Sequence, residues 1–137
     1  MGARINDELT EKIIGFAIEV HRCPGPGLLE SVYEECLCLE LNQAKLSFRR
    51  QVALPVTYKG LRLHCGYRLD LVVAERIIIE VKAIENLLPV HKAQLLTYMK
   101  LGNFPVGLLL NFHCSALKDG IRRLQLAAPS HCLTGSG

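Results

Sequence analysis

Charge appears in this sequence where it is least expected. Tyr67-Arg68-Leu69-Asp70-Leu71-Val72-Val73 sets a carboxylate inside an apolar, β-branched run, and Ile77-Ile78-Ile79-Glu80-Val81-Lys82 sets a carboxylate and an ammonium inside another. Burying such groups is costly unless they are paired or bound to an ion. Residues two apart on a strand share a face, so Glu80 and Lys82 point together. Asp70 joins them if the hairpin pairs residues whose numbers have an even sum, as a three-residue Ala74-Glu75-Arg76 loop would ensure; a one-residue slip turns one carboxylate away. Two carboxylates about 4 Å apart repel by roughly 4 kcal/mol at an effective dielectric of about 20. The trio must therefore hold a proton or recruit a cation, and oxygen donors suit a hard divalent ion, Mg²⁺ or Mn²⁺.

Gln94 and Tyr98 are four residues apart and share a helix face, with His91 one turn earlier. Tyr98 also suits a half-buried core position, and His91 and His21 suit structural or solvent-facing ones. The six cysteines include no CxxC pair; Cys36 and Cys38 fall in an expected helix that would point them to different faces, so all six read as thiols rather than disulfides or a zinc site.

The elements that must position these groups follow from periodicity. Leu9, Ile13, Phe16, Ala17 and Val20 mark a first helix from Leu9 to His21, with Asp7 or Asn6 as N-cap. Cys23-Pro24-Gly25-Pro26-Gly27 breaks it, and a second helix from about Leu28 to Ala44 is predicted to bury the stripe Leu29, Val32, Cys36 and Leu39. Phe48 to Tyr58 and Leu61 to Val73 flank the hairpin signal Lys59-Gly60, and Ile77 to Ala83 makes a third antiparallel strand. Pro89 opens a third helix to Leu101, Gly102 ends it, and Val106 to Phe112 is a buried strand. The order is αα-βββ-α-β, an α/β (α+β) arrangement.

The 137 residues, half of them hydrophobic and 21% charged, suit one folded domain over residues 1–126, with a loosely held tail over 127–137. No apolar run is long enough for a membrane helix and the first ten residues lack a signal core, so a cytoplasmic protein without membrane partners is expected. Residues 1–44 carry three basic and eight acidic side chains, whereas the remainder carries thirteen and five. That asymmetry suits either a polyanion surface or acidic helices packed beside basic strands. Arg68, Lys92, Arg122 and Arg123 are candidate phosphate contacts, as are Arg49, Arg50 and Arg62.

Asp70 followed by Glu80-Val81-Lys82 resembles the PD-(D/E)XK nuclease superfamily, with Leu69 in the place of its namesake proline. Gly27-Leu28-Leu29-Glu30-Ser31-Val32-Tyr33 is similar to the signature of the GxxExxY family, a branch of it, and the likeness extends from about Leu9 to Leu126. The resemblance implies a restriction-endonuclease-like αβββαβ core with a mixed central sheet flanked by helices. It also implies a metal-dependent nuclease acting on DNA, favoured over RNA. Asp70, Glu80 and the Val81 carbonyl would hold the metal, and Lys82 would position the attacking water or stabilise the transition state. Glu30 would complete the site, although a first-turn glutamate also suits the helix dipole. Gln94 would orient Lys82 or a phosphate, supported by Tyr98. Cutting both strands would call for a homodimer. The competing reading is a non-catalytic nucleic-acid- or protein-binding module that retains the fold.

Overall fold

A computed structural model describes residues 2–127 and 134–135. Its elements are α1 (Gly2–Arg22), α2 (Glu30–Gln43), β1 (Phe48–Tyr58), β2 (Leu61–Val73), β3 (Ile77–Lys82), α3 (Pro89–Gly102), β4 (Val106–Asn111), a 3-10 turn (Leu117–Gly120), β5 (Ile121–Gln125) and β6 (Thr134–Gly135). One mixed sheet results, with strand order β5-β4-β3-β2-β1-β6. Among the described residues no helix is long and apolar enough to cross a membrane.

The Ile and Val run of β3 makes it central, paired antiparallel to β2 and parallel to β4. Parallel neighbours need a crossover, which α3 supplies. One face of the sheet, through Leu71, Ile77, Ile79, Leu108 and Leu110, packs on α1 and α2. The other, through Leu69, Val72, Ile78 and Leu109, packs on Leu95, Tyr98 and Met99 of α3. Ile77, Ile78 and Ile79 are fully buried, each worth about 1.5–3 kcal/mol of transfer free energy.

Helix α1 begins earlier than capping residues predict. Asn6 is buried within it and accepts a hydrogen bond from Arg76 (3.3 Å), while Asp7 pairs with Arg123. Tertiary partners thus outweigh the capping preference of both residues. Helix α2 is rotated from the expected stripe. Tyr33, Leu37, Cys38 and Leu41 are buried, whereas Leu29 and Leu39 are 73% and 58% exposed and Val32 is also exposed. Tyr33 accounts for the rotation: its ring stacks on Phe112 (4.4 Å), and its hydroxyl donates to the Gly25 carbonyl (2.5 Å) and accepts from the Leu28 N–H (3.2 Å). The loop before α2 is held by these contacts, with Gly27 at φ +106°, a conformation that favours glycine.

Strand β5, carrying Arg122 and Arg123, was not expected; its Ile-Arg-Arg-Leu-Gln sequence has no clean alternation. Of the tail, Thr134 and Gly135 pair with Thr57 and Val56 of β1, while 128–133 and 136–137, and with them Cys132, lie outside the described residues. Cys23, Cys36, Cys38 and Cys114 are free thiols, and the side chain of Cys65 also lies outside the description.

Candidate functional site

The β2–β3 hairpin turns through residues 74–76 and pairs Val73 with Ile77, Val72 with Ile78 and Leu71 with Ile79. Extending this even-sum register sets Asp70 opposite Glu80. At that point the ladder stops and side chains take over its hydrogen bonds: the Asp70 N–H donates to Glu80 Oε1 (3.2 Å) and the Val81 N–H donates to Asp70 Oδ2 (2.9 Å). On the other side of β2 the pairing with β1 also skips a step, between Arg50–Leu71 and Val52–Leu69. The skipped β1 residue, Gln51, has φ +49°. The phase of the strands changes there, so Leu71 faces α1 and α2 whereas Leu69 faces α3.

The electrostatics follow from that burial. Glu80 is 7% exposed; burial, with the facing Asp70 carboxylate, pushes its carboxyl up to about 8, against the Asp70 N–H and Lys82. Burial likewise raises Asp70, with a further push from Glu34, opposed by the Val81 N–H, Gln51 and Lys82. Mutual repulsion was the expected cause; dehydration comes first. Tyr98 is also raised, to about 12, by burial and then by Glu80, with Gln94 opposing the rise.

Two neighbouring carboxylates that resist ionisation together fit a divalent cation. In a strand the N–H and C=O of one residue face the same neighbour, so the Val81 carbonyl lies on the side where its N–H meets Asp70. Among the described residues no three His, Cys, Asp or Glu side chains group as ligands of one ion. Two carboxylates, a main-chain oxygen, water and substrate phosphate make a donor set of the kind Mg²⁺ accepts.

The carboxylate that α2 brings to this site is Glu34. Glu30 is exposed at the helix start, with no hydrogen bond or ion pair among the described residues. Glu34, one turn on, is buried and accepts from Arg50 Nε (3.2 Å) and Nη2 (2.8 Å) and from Gln51 Nε2 (3.1 Å to Oε1). The same Gln51 amide reaches Asp70 Oδ1 at 3.4 Å, so one side chain links the helix acid to the strand acid. Arg50 also holds Glu35 (2.8 Å), and both bonds raise its already high pKa. Sequence reasoning missed Glu34, Gln51 and this use of Arg50; the available signal was Tyr33, whose burial sets the phase that turns Glu34 inward.

Asp70, Glu80, Lys82 and Tyr98 converge, and Gln94 lies exposed one turn before Tyr98 on α3. His91 Nδ1 instead accepts the Leu88 N–H at the start of α3 (2.9 Å), and His21 Nε2 meets the Cys114 carbonyl (2.8 Å). Arg68 lies beside the cluster, donating to the Gln51 carbonyl (3.0 Å). Lys92 is exposed on α3. Arg122 and Arg123 sit on β5, the sheet edge away from β1, with Arg122 bonded to the Asp119 and Ile121 carbonyls.

Residues 7–124 match a family model described as the PD-(D/E)XK nuclease superfamily. Comparison with curated proteins and with solved structures returns no match.

Proposed function

The chain belongs to the PD-(D/E)XK nuclease superfamily, and from that premise we propose that residues 1–126 form one divalent-metal-dependent nuclease domain that hydrolyses phosphodiester bonds, of DNA in preference to RNA. The observation that carries this reading is the pair of facing carboxylates, half-buried Asp70 and buried Glu80, with Lys82 two residues on along the same strand face. Mg²⁺ or Mn²⁺, held by Asp70, Glu80 and the Val81 carbonyl, would supply Lewis-acid polarisation of a phosphate oxygen and a lowered pKa for water.

The residues then divide the work. Lys82 places its ammonium beside the scissile phosphate, orients the attacking water and offsets charge that develops on the phosphate oxygens. Water adds to phosphorus and gives up a proton to solvent, the P–O bond to the leaving nucleoside breaks, and the leaving oxygen takes up a proton from solvent. Glu34, in the part expected of Glu30, sets Asp70 through Gln51. Gln94, one turn before Tyr98 on α3, orients Lys82 or a phosphate oxygen. One such centre cuts one strand, so cleavage of both strands takes two copies of the chain.

The test is cleavage of single- and double-stranded DNA and RNA by purified protein in Mg²⁺ and in Mn²⁺, beside Asp70→Asn and Lys82→Ala. Both variants should lose cleavage, and calorimetry should show that only Asp70→Asn loses the ion. Wild type that cuts none of these substrates would overturn the catalytic reading, as would equal cleavage by all three proteins.

A further inference from the structure

Beyond the acidic cluster, the β1–β2 hairpin continues as a two-stranded arm whose pairing slips between Leu54–Tyr67 and Val56–Leu63. Across the slip, β1 contributes one residue and β2 three, so the arm opens. A Cβ on Gly66 would stand 2.9 Å from the Leu54 carbonyl, so this close passage of the two backbones requires glycine. The opening is a pocket of about 380 Å³ lined by Ala53, Leu54 and Pro55 on β1 and by Arg62, Tyr67 and Arg68, among others, on β2. That volume lies within the range of small-ligand sites.

The charge of the arm is one-sided. Between Glu40 and Asp70 the sequence holds no carboxylate, while Lys45, Arg49, Arg50, Lys59, Arg62 and Arg68 all fall there. Arg49 and Arg50 are paired with Glu75, Glu34 and Glu35 from outside the arm. Among the described residues Arg62 and Arg68 enter no ion pair, and Arg68 bonds to the Gln51 carbonyl alone. The pocket therefore offers two guanidinium groups without counterions. It also offers a flat face, since Tyr67 is 41% exposed.

Two contacts tie the pocket to the acidic cluster. Arg68 bonds to Gln51, which reaches Asp70 and Glu34, and the Tyr67 ring packs at 4.9 Å against Tyr98, which lies beside Glu80. We propose that this pocket takes one unpaired nucleotide of the substrate strand next to the scissile phosphodiester, its phosphate between Arg62 and Arg68 and its base on the Tyr67 ring. The inference rests on the nuclease reading and narrows the substrate to a single-stranded segment. Guanidinium forks suit phosphate oxygens, and aromatic faces stack bases that have left a helix, whereas a base held in a duplex cannot reach Tyr67.

The experiment is fluorescence anisotropy in EDTA, where nothing is cut, with a labelled single-stranded DNA of about 12 nucleotides and its duplex. The proteins are wild type, Arg62→Glu, Tyr67→Leu and Arg4→Glu, an equal charge change on α1 outside the pocket, each checked for folding by circular dichroism. Wild type should prefer the single strand; Arg62→Glu should weaken that binding about tenfold or more, with a shallower salt dependence. Tyr67→Leu should lose the preference over duplex, and Arg4→Glu should stay within about twofold. Wild type that binds no single strand overturns the inference, and so does Arg62→Glu that binds like wild type or Arg4→Glu that loses as much. Cleavage by wild type but not by Asp70→Asn, with binding indifferent to Arg62→Glu, would reject the pocket and keep the nuclease. Strand binding that depends on Arg62 in a protein that never cuts would keep the pocket and reject the nuclease.

Discussion

Strands β2 and β3 run side by side through two regions with opposite designs. From Val73–Ile77 to Leu71–Ile79 they form a regular ladder of fully buried Ile, Val and Leu. One step further, Asp70 and Glu80 replace the ladder bonds with carboxylate bonds, and the register with β1 skips Gln51. The first region gains free energy from burial; the second gives some back by dehydrating charge. A rigid apolar ladder thus holds open a junction that would not be stable alone.

The sharpest way to break this comparison is to damage each region separately. Asp70→Asn should lower cleavage by about 10³ or more while leaving the melting temperature equal or higher, because the ion's ligand is lost and a partly dehydrated charge beside Glu80 removed. Ile79→Ala should instead cost about 2–5 kcal/mol in urea unfolding, with cleavage per folded molecule preserved. If both variants lost stability alike, the division would fail.

A pH series sharpens it. Glu80 titrates at about 8 in the fold against an ordinary 4.5, so the folded state holds the proton more tightly than the unfolded chain. The stability this contributes is fully present below the ordinary value and is lost as pH rises through about 8. Without divalent ions, Glu80→Gln should therefore exceed wild type at pH ~9 by about 1–3 kcal/mol and match it near pH ~4. Saturating Mg²⁺ should close the gap at high pH, since a ligand at a hundredfold its Kd adds about 2.7 kcal/mol to the wild type. Thermal melts with EDTA or Mg²⁺ read both effects.

Smaller effects separate the two α2 carboxylates. Glu34→Ala leaves the Arg50 fork without its buried partner and should cost about 1–3 kcal/mol together with activity. Glu30→Ala should stay within about 0.5 kcal/mol of wild type. Gln51→Gly fits φ +49° without strain, so stability should hold within about 1 kcal/mol. Its kcat should nonetheless fall about tenfold at nearly constant KM, through loss of the amide between Glu34 and Asp70.

The strand acids were legible in sequence because strand period and loop length are local: the three-residue turn sets the β2–β3 register, and register sets the faces. The helix acid was not. Helix α2 carries two apolar stripes, one through Leu29, Val32 and Leu39 and one through Tyr33, Leu37 and Leu41, and periodicity does not say which the sheet will cover. Choosing the first hides Glu34. Gln51 and Arg50 read as ordinary strand residues because a positive φ at a glutamine leaves no mark in composition. Strand β5 went unseen because edge strands need little apolar alternation.

The three-residue turn also orders events in time. Asp70 and Glu80 are ten residues apart and meet as soon as their hairpin closes, on a scale of about 1–10 μs. Glu34 and Tyr98 come from distant elements, and β3 must wait for α3 before it can pair with β4. The chain therefore brings its two facing strand carboxylates together early, and dissolved divalent cation should speed refolding as well as stabilise the product.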